Sequence, residues 1–258
     1  MKLQGRIAVV TGAGRGIGAA VARALAAEGA AVALCARTKA QLVEVAEAIT
    51  AEGGTALPFA CDVADEGSVQ AMAAAVHGAL GPVDVLVNNA GVAHSAPLAR
   101  TTLSDWNRIL AVNATGTFLC TQAFVPDMVA RRWGRVVNVA STAARMGARY
   151  IGAYAASKHA VLGFTRSIAA EVAASGVTVN AVCPGYVDTE MTRETVDRIV
   201  AKTGRSADEA LAQVLATSPQ RRLLGVDEVA FAVLTLCDHG ARGINGQAVV
   251  LDGGELLS

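Results

Sequence analysis

Tyr154 and Lys158 stand four residues apart in YAASK, and Ser141 lies thirteen residues upstream of the tyrosine at the end of GRVVNVAS. Side chains at i and i+4 share a helix face, so this spacing puts an ammonium beside a phenol. A free phenol titrates near pH ~10 and exchanges protons poorly at neutrality. A neighbouring cation favours the phenolate, so Lys158 is expected to bring that value down toward the working range and make Tyr154 a proton donor and acceptor. Ser141, at a strand end, can hydrogen-bond a substrate oxygen. Alone, the Tyr-Lys spacing is common and describes many surface pairs. The rest of the chain decides its meaning.

The stretch TGAGRGIG (11–18) puts four glycines between RIAVV and AAVARALAAEG. Glycine inside an element costs roughly 0.5–1 kcal/mol relative to alanine, so something must come close to this backbone. A helix N-terminus offers unpaired N–H groups and partial positive charge, which suits a diphosphate. Gly14-x-Gly16-x-x-Ala19 fits the dinucleotide expression, in the required order of strand, turn and helix. Gly12, Arg15, Gly16, Ile17 and Gly18 are the candidate contacts. The next strand ends Leu34-Cys35-Ala36-Arg37-Thr38, without the carboxylate that would hold a free ribose hydroxyl. Arg37 can instead clamp a 2′-phosphate, with Arg15 as a second cation, so NADP(H) is expected over NAD(H).

Short β-branched runs at 6–12, 31–37, 55–63, 83–91, 134–141, 177–185 and 246–254 alternate with helical stretches at 17–29, 38–52, 66–80, 104–132, 153–174 and 226–239. Such alternation predicts an α/β fold with a doubly wound, parallel, seven-stranded sheet. No linker composition interrupts it, so residues 1–258 are expected to form one domain. The segment 186–224 is long for a connection and follows a strand's C-terminal end, which suggests a substrate lid rather than small independent helices.

The 258 residues are 53% hydrophobic and 17% charged, with 22 basic and 22 acidic side chains. Mean hydropathy is +0.41, which suits a sheet buried on both faces. The balanced charge gives no reason to expect a nucleic-acid partner. Cys35, Cys61, Cys120, Cys183 and Cys237 form no CxxC pair, so buried reduced thiols are expected and neither disulfides nor a metal. The N-terminus lacks a signal-type core and no run reaches about 18 uninterrupted apolar residues, so a cytoplasmic protein without a membrane span is expected.

With these motifs together, the sequence resembles the short-chain dehydrogenase/reductase family over essentially its whole length. The matching segments are TGAGRGIG (11–18), CDV (61–63), NNAG (88–91), Asn113 in AVNATG, Ser141, YAASK (154–158) and CPGYVDTEM (183–191). The resemblance implies a Rossmann-type, three-layer α/β/α domain that moves hydride between a nicotinamide and a carbonyl or secondary alcohol without metal. It implies that Tyr154 exchanges the proton and that Lys158 tunes the phenol and binds the nicotinamide ribose. Ser141 would hold the substrate oxygen, and Asn113 would seat a relay water. Asp62 and Val63 would meet the adenine, Asn89 and Gly91 the adenosine ribose, and Val187 and Thr189 the carboxamide. Among family members the chain looks like 3-oxoacyl thioester reductases and polyketide ketoreductases, whose substrates ride on CoA or acyl carrier protein. Arg145, Arg149 and Arg193 are candidates for the phosphates of such a carrier, or simply a solvated face. His94 and His159 read as an exposed loop residue and a structural one, and Trp106 and Trp133 as packing. The alternatives are a secondary-alcohol or hydroxyacyl-CoA dehydrogenase and, in another class, a non-catalytic nucleotide sensor. A homotetramer is also implied, with helices 104–132 and 153–174 at one interface and the last strand at another.

Overall fold

In the computed structural model, which describes residues 1–256, seven strands pair in parallel. They are β1 (Ile7–Thr11), β2 (Ala31–Ala36), β3 (Thr55–Ala60), β4 (Val85–Asn88), β5 (Gly134–Val139), β6 (Val177–Pro184) and β7 (Ala248–Leu251). Their order is β3-β2-β1-β4-β5-β6-β7, the doubly wound arrangement expected. The last two residues of the expected 1–258 domain, Leu257 and Ser258, lie outside the described residues.

The helices are α1 (Gly16–Ala27), α2 (Lys39–Ala51), α3 (Glu66–Leu80), α4 (Leu103–Leu110), α5 (Gly116–Ala130), α6 (Gly152–Glu171), α7 (Glu190–Thr203), α8 (Ala207–Val214) and α9 (Val226–Cys237). Successive strand residues face opposite sides, so runs such as Val9-Val10 and Val136-Val137 feed two cores. One holds Val10, Leu34, Val87 and Val137 against Leu25 of α1, Leu42 of α2 and Val233 of α9. The other holds Val9, Leu86, Val136 and Val179 against Met72 of α3, Phe124 of α5 and Ala169 of α6. Parallel strands covered on both faces need such continuous apolar runs.

Two elements depart from the sequence expectation. The single helix expected over 104–132 is α4 and α5 joined through a π-helical turn, Ala111–Thr115. An extra residue per turn of this kind shifts the side chains after it, and such turns gather at functional sites. The 186–224 segment holds α7 and α8, the latter started by a capping box between Ser206 and Glu209. The continuous stretch Leu103–Ala130 has mean hydropathy 1.3 and the length to cross a bilayer. Its Leu119, Cys120, Phe124 and Met128 are instead spent on the second core.

The glycine turn is tight because other backbone passes through it. Gly12 takes φ +64°, and a Cβ on Gly18 would lie 2.2 Å from the Gly12 carbonyl oxygen and 2.5 Å from Asn89 Nδ2. Neither neighbour can retreat without breaking the turn. Gly78, on the exposed side of α3, has nothing within 4 Å of its own virtual Cβ. Gly18→Ala should therefore lower the thermal midpoint by about 4 °C or more. Gly78→Ala should raise it by about 1–4 °C. Calorimetric scans of the two variants check this; shifts of the same sign would contradict the close-approach argument.

Candidate active site

The residues assigned to the cofactor and to catalysis sit at or beyond the carboxyl end of a strand, or on a helix packed against those ends. In an open parallel sheet these ends form a crevice where the winding reverses, here between β1 and β4. Thr11 and Asn89 tie the two strand ends together. The Thr11 hydroxyl donates to Val87 O and accepts from the backbone N–H groups of Asn89 and Ala90. Asn89 Nδ2 returns the contact, donating to the carbonyls of Thr11 at 2.9 Å and Gly12 at 3.1 Å. Thr11 carried no expected role; its place at the head of the glycine motif was the available signal.

The turn leads into α1 without any side-chain cap, because the residue before the helix, Arg15, is extended and makes no capping bond. The first N–H groups of α1 are thus left to an outside acceptor. Gly16 lies against Thr189, with a virtual Cβ 3.4 Å from the threonine methyl, and Ile17 packs beside Val187 and Leu224. Arg37 is exposed beyond β2, with no carboxylate in the strand end. Arg15, expected as a second cation beside Arg37, pairs through its guanidinium with Glu190, the first residue of α7. Asp62 closes the turn after β3 by accepting from Ala64 N–H at 3.0 Å. Val63 is buried, and its methyl would collide with any Cβ on Gly116 at the start of α5. These features fit a dinucleotide: an uncapped helix start, a turn with no room for a Cβ, and a cation where an acid would exclude a phosphate.

At the other end of the crevice, the π turn aims Asn113 inward. The side chain is 1% exposed and fully engaged. Its Oδ1 accepts from Val92 N–H at 2.8 Å; its Nδ2 donates to Val92 O at 2.9 Å and to Ser157 Oγ at 3.0 Å. Ser157 donates in turn to Tyr154 O at 2.7 Å, so Asn113 clamps the loop after β4 to the first turns of α6. Neither Val92 nor Ser157 stood out in the sequence, although Ser157 lies within YAASK. Gly91 is the point of convergence. A Cβ there would be 3.4 Å from Asn113 Oδ1 and 3.6 Å from Lys158 Nζ.

Lys158 is 5% exposed, and its ammonium donates to Val139 O at 2.8 Å. Burial brings its pKa down to about 8. Ser141 caps the short turn after β5, accepting from Ala143 N–H at 3.1 Å, and hydrogen-bonds the Tyr154 phenol. The expected lowering of the phenol's pKa by Lys158 meets an opposing effect. Burial raises the Tyr154 pKa, the Ser141 hydrogen bond offsets only part of that, and the lysine does not reverse it. The physical reason is that both groups are desolvated, and Lys158 Nζ stands 5.8 Å from the phenol ring centroid.

The 186–224 segment touches the glycine turn at Gly16 and the loop after β4 at Ser95. Val187 bridges to Leu224, Thr192 Oγ1 and Thr189 Oγ1 both donate to Val187 O, and Arg198 of α7 donates to Ser95 Oγ at 3.0 Å. Arg193 pairs with Asp188, Arg149 is exposed, and His94 approaches Asp105 at 3.9 Å. His159 is exposed and bonds Ala155 O. Trp106 is exposed rather than packed, whereas Trp133 lies between the guanidinium groups of Arg6 and Arg135. The five cysteines are buried and unpaired, as expected. Among the described residues no His, Cys, Asp and Glu cluster could hold a metal.

Comparison with known proteins agrees with this geometry. A family model described as short chain dehydrogenase matches residues 6–199. D-threitol dehydrogenase of Mycolicibacterium smegmatis is 41% identical over 253 residues, covering 98% of this chain and 94% of that one. The 3-oxoacyl-acyl-carrier-protein reductase of Escherichia coli is 35% identical over 254 residues, covering 98% of both. An actinorhodin polyketide ketoreductase variant crystallised with NADPH superposes with a TM-score of 0.94 at 38% identity, covering 97% of each chain. With the motif residues gathered in one crevice and relatives matched nearly end to end, the chain belongs to the short-chain dehydrogenase/reductase family of nicotinamide-dependent oxidoreductases.

Proposed function

We propose that this enzyme reduces a 3-oxoacyl thioester to the 3-hydroxy product with NADPH, with the 3-oxoacyl group carried on CoA or acyl carrier protein. The observation that carries the chemistry is the buried Tyr154 phenol, hydrogen-bonded to Ser141 and with Lys158 behind it, placed to exchange a proton with a substrate oxygen. A carbonyl accepting hydride needs a proton at its oxygen, and a protonated phenol is the form that gives one. The bound nicotinamide would supply the hydride. Ser141 would hold the substrate oxygen beside the phenol, and Lys158 would bind the nicotinamide ribose and return the proton to Tyr154. The Asn113 side chain is already satisfied by Val92 and Ser157, so a relay water would rest on its carbonyl.

NADPH is preferred in this reading because Arg37 stands where a ribose-binding acid would be. Asp62, Val63, Asn89 and Gly91 would line the adenosine half, and Val187 and Thr189 the carboxamide. The relatives include both a 3-oxoacyl reductase and a polyketide ketoreductase, which favours a thioester. A second reading, oxidation of a secondary polyol alcohol, draws on the similarity to D-threitol dehydrogenase. We read residues 1–258 as one cytoplasmic domain with 186–224 as its lid. A homotetramer is supported by apolar groups left on outer faces. Phe118 and Phe164 meet edge to face at 6.1 Å on α5 and α6, and Phe231 of α9 is 71% exposed.

Three outcomes test this. Acetoacetyl-CoA should be turned over with NADPH much faster than with NADH, and faster than threitol is oxidised with either oxidised cofactor; the reverse order selects the second reading. Tyr154→Phe should lose about 10²–10⁴ in kcat while binding NADPH as the parent does, because only the proton is removed. Lys158 gives a stability signature independent of substrate. Its pKa falls from 10.5 to about 8 on folding, so between those values the unfolded chain holds a proton the folded one has lost. Stability therefore rises with pH through that window, and the burial cost, about 3 kcal/mol, is fully present below pH 8. Lys158→Met should be inactive yet unfold at a higher temperature at pH 7, with the advantage shrinking toward pH 10.5.

A further inference from the structure

The first turn of α7 and the glycine turn are held in fixed positions relative to each other. Val187 is buried and bridged to Leu224, and it receives the hydroxyls of Thr189 and Thr192. On the facing side, Gly12 and Gly18 leave the turn no freedom beside Asn89. The Thr189 methyl already touches the space over Gly16. Across this junction Glu190 pairs with Arg15, both side chains about half exposed, at 52% and 60%. Glu190 is placed well for its own helix, since a carboxylate in a first turn complements the helix dipole. The pair draws Arg15 toward the lid.

We infer that Glu190 sets the cofactor preference of this enzyme by competing with the 2′-phosphate of NADPH for Arg15. The inference rests on the reading of Arg15 and Arg37 as the phosphate-binding pair. A guanidinium engaged by a carboxylate must leave it, or share itself, to meet a phosphate. NADH makes no such demand, because its ribose carries only a hydroxyl there. Glu190 thus weakens NADPH and leaves NADH alone, and it holds the two cofactors closer in affinity than the two arginines would. The same exchange unties the first turn of α7 from the glycine turn when NADPH binds.

Isothermal titration of NADPH and NADH into the full chain tests this without turnover. Glu190→Gln should bind NADPH roughly two- to five-fold tighter, the span expected for releasing an exposed ion pair, with NADH unchanged. The gain should vanish in the Arg15→Ala background and shrink as salt rises. If Glu190→Gln leaves both affinities unchanged while Arg15→Ala weakens NADPH, Arg15 reads the phosphate but Glu190 does not restrain it. Equal tightening of NADPH and NADH would assign Glu190 to the shared diphosphate and overturn the specificity claim. If neither Arg15→Ala nor Arg37→Ala affects NADPH, the phosphate reading itself falls, an outcome distinct from the other two.

Discussion

An ammonium held where water scarcely reaches is the constraint around which the crevice is built. Lys158 has one protein acceptor, Val139 O, and it gives up part of its affinity for a proton to stay there. A buried charge with so little compensation is destabilising in isolation. It is kept in place by neighbours that have no alternative positions. Gly91 leaves the space it needs, Asn113 ties the loop around Gly91 to α6 through Ser157, and the π turn gives Asn113 its direction. Each group looks incidental alone. Together they determine where the cation stands relative to Tyr154.

Beneath that layer runs a buried polar chain through an otherwise apolar sheet. Asn88 Nδ2 donates to Thr121 Oγ1 at 3.1 Å and to Asn138 Oδ1 at 2.9 Å, and Asn138 Nδ2 donates to Thr165 Oγ1 at 2.8 Å. These bonds join β4, β5, α5 and α6 directly below the residues that do chemistry. Asn88 Oδ1 is left without a partner among the described residues, but the directional bonds that do form admit few alternative registers, whereas sliding apolar surfaces admit several. The chain therefore specifies how α5, which follows Asn113, stands against α6, which carries Tyr154 and Lys158. The precision of the crevice comes from the layer under it.

The parts legible in the sequence were those written in local patterns. Strand and helix alternation, the glycine turn and the helical spacing of Tyr154 and Lys158 follow from chain-local geometry, and the sheet is the doubly wound, parallel, seven-stranded one expected. The π turn was not legible, because one extra residue in LSDWNRILAVNATGTF leaves its apolar periodicity nearly intact. The Arg15–Glu190 pair joins positions 175 residues apart and depends on where α7 packs. The burial that opposes Lys158 at the Tyr154 phenol was hidden for a related reason. Spacing reports that two groups share a helix face, but it does not report how much solvent each has lost. Burial is a property of the whole fold, and here it outweighs the pairwise attraction.

Burial and pairing act on one proton path. Burial pushes the Tyr154 phenol up and its bond to Ser141 brings it part of the way back, while burial lowers Lys158 to about 8. The group behind the phenol can therefore gain or lose its proton near neutral pH. The path serves a carbonyl gaining a proton and an alcohol losing one alike, because the same groups carry the reaction both ways. One desolvated pocket thus sets both ends of the path, and the substrate and cofactor supplied decide which way it runs.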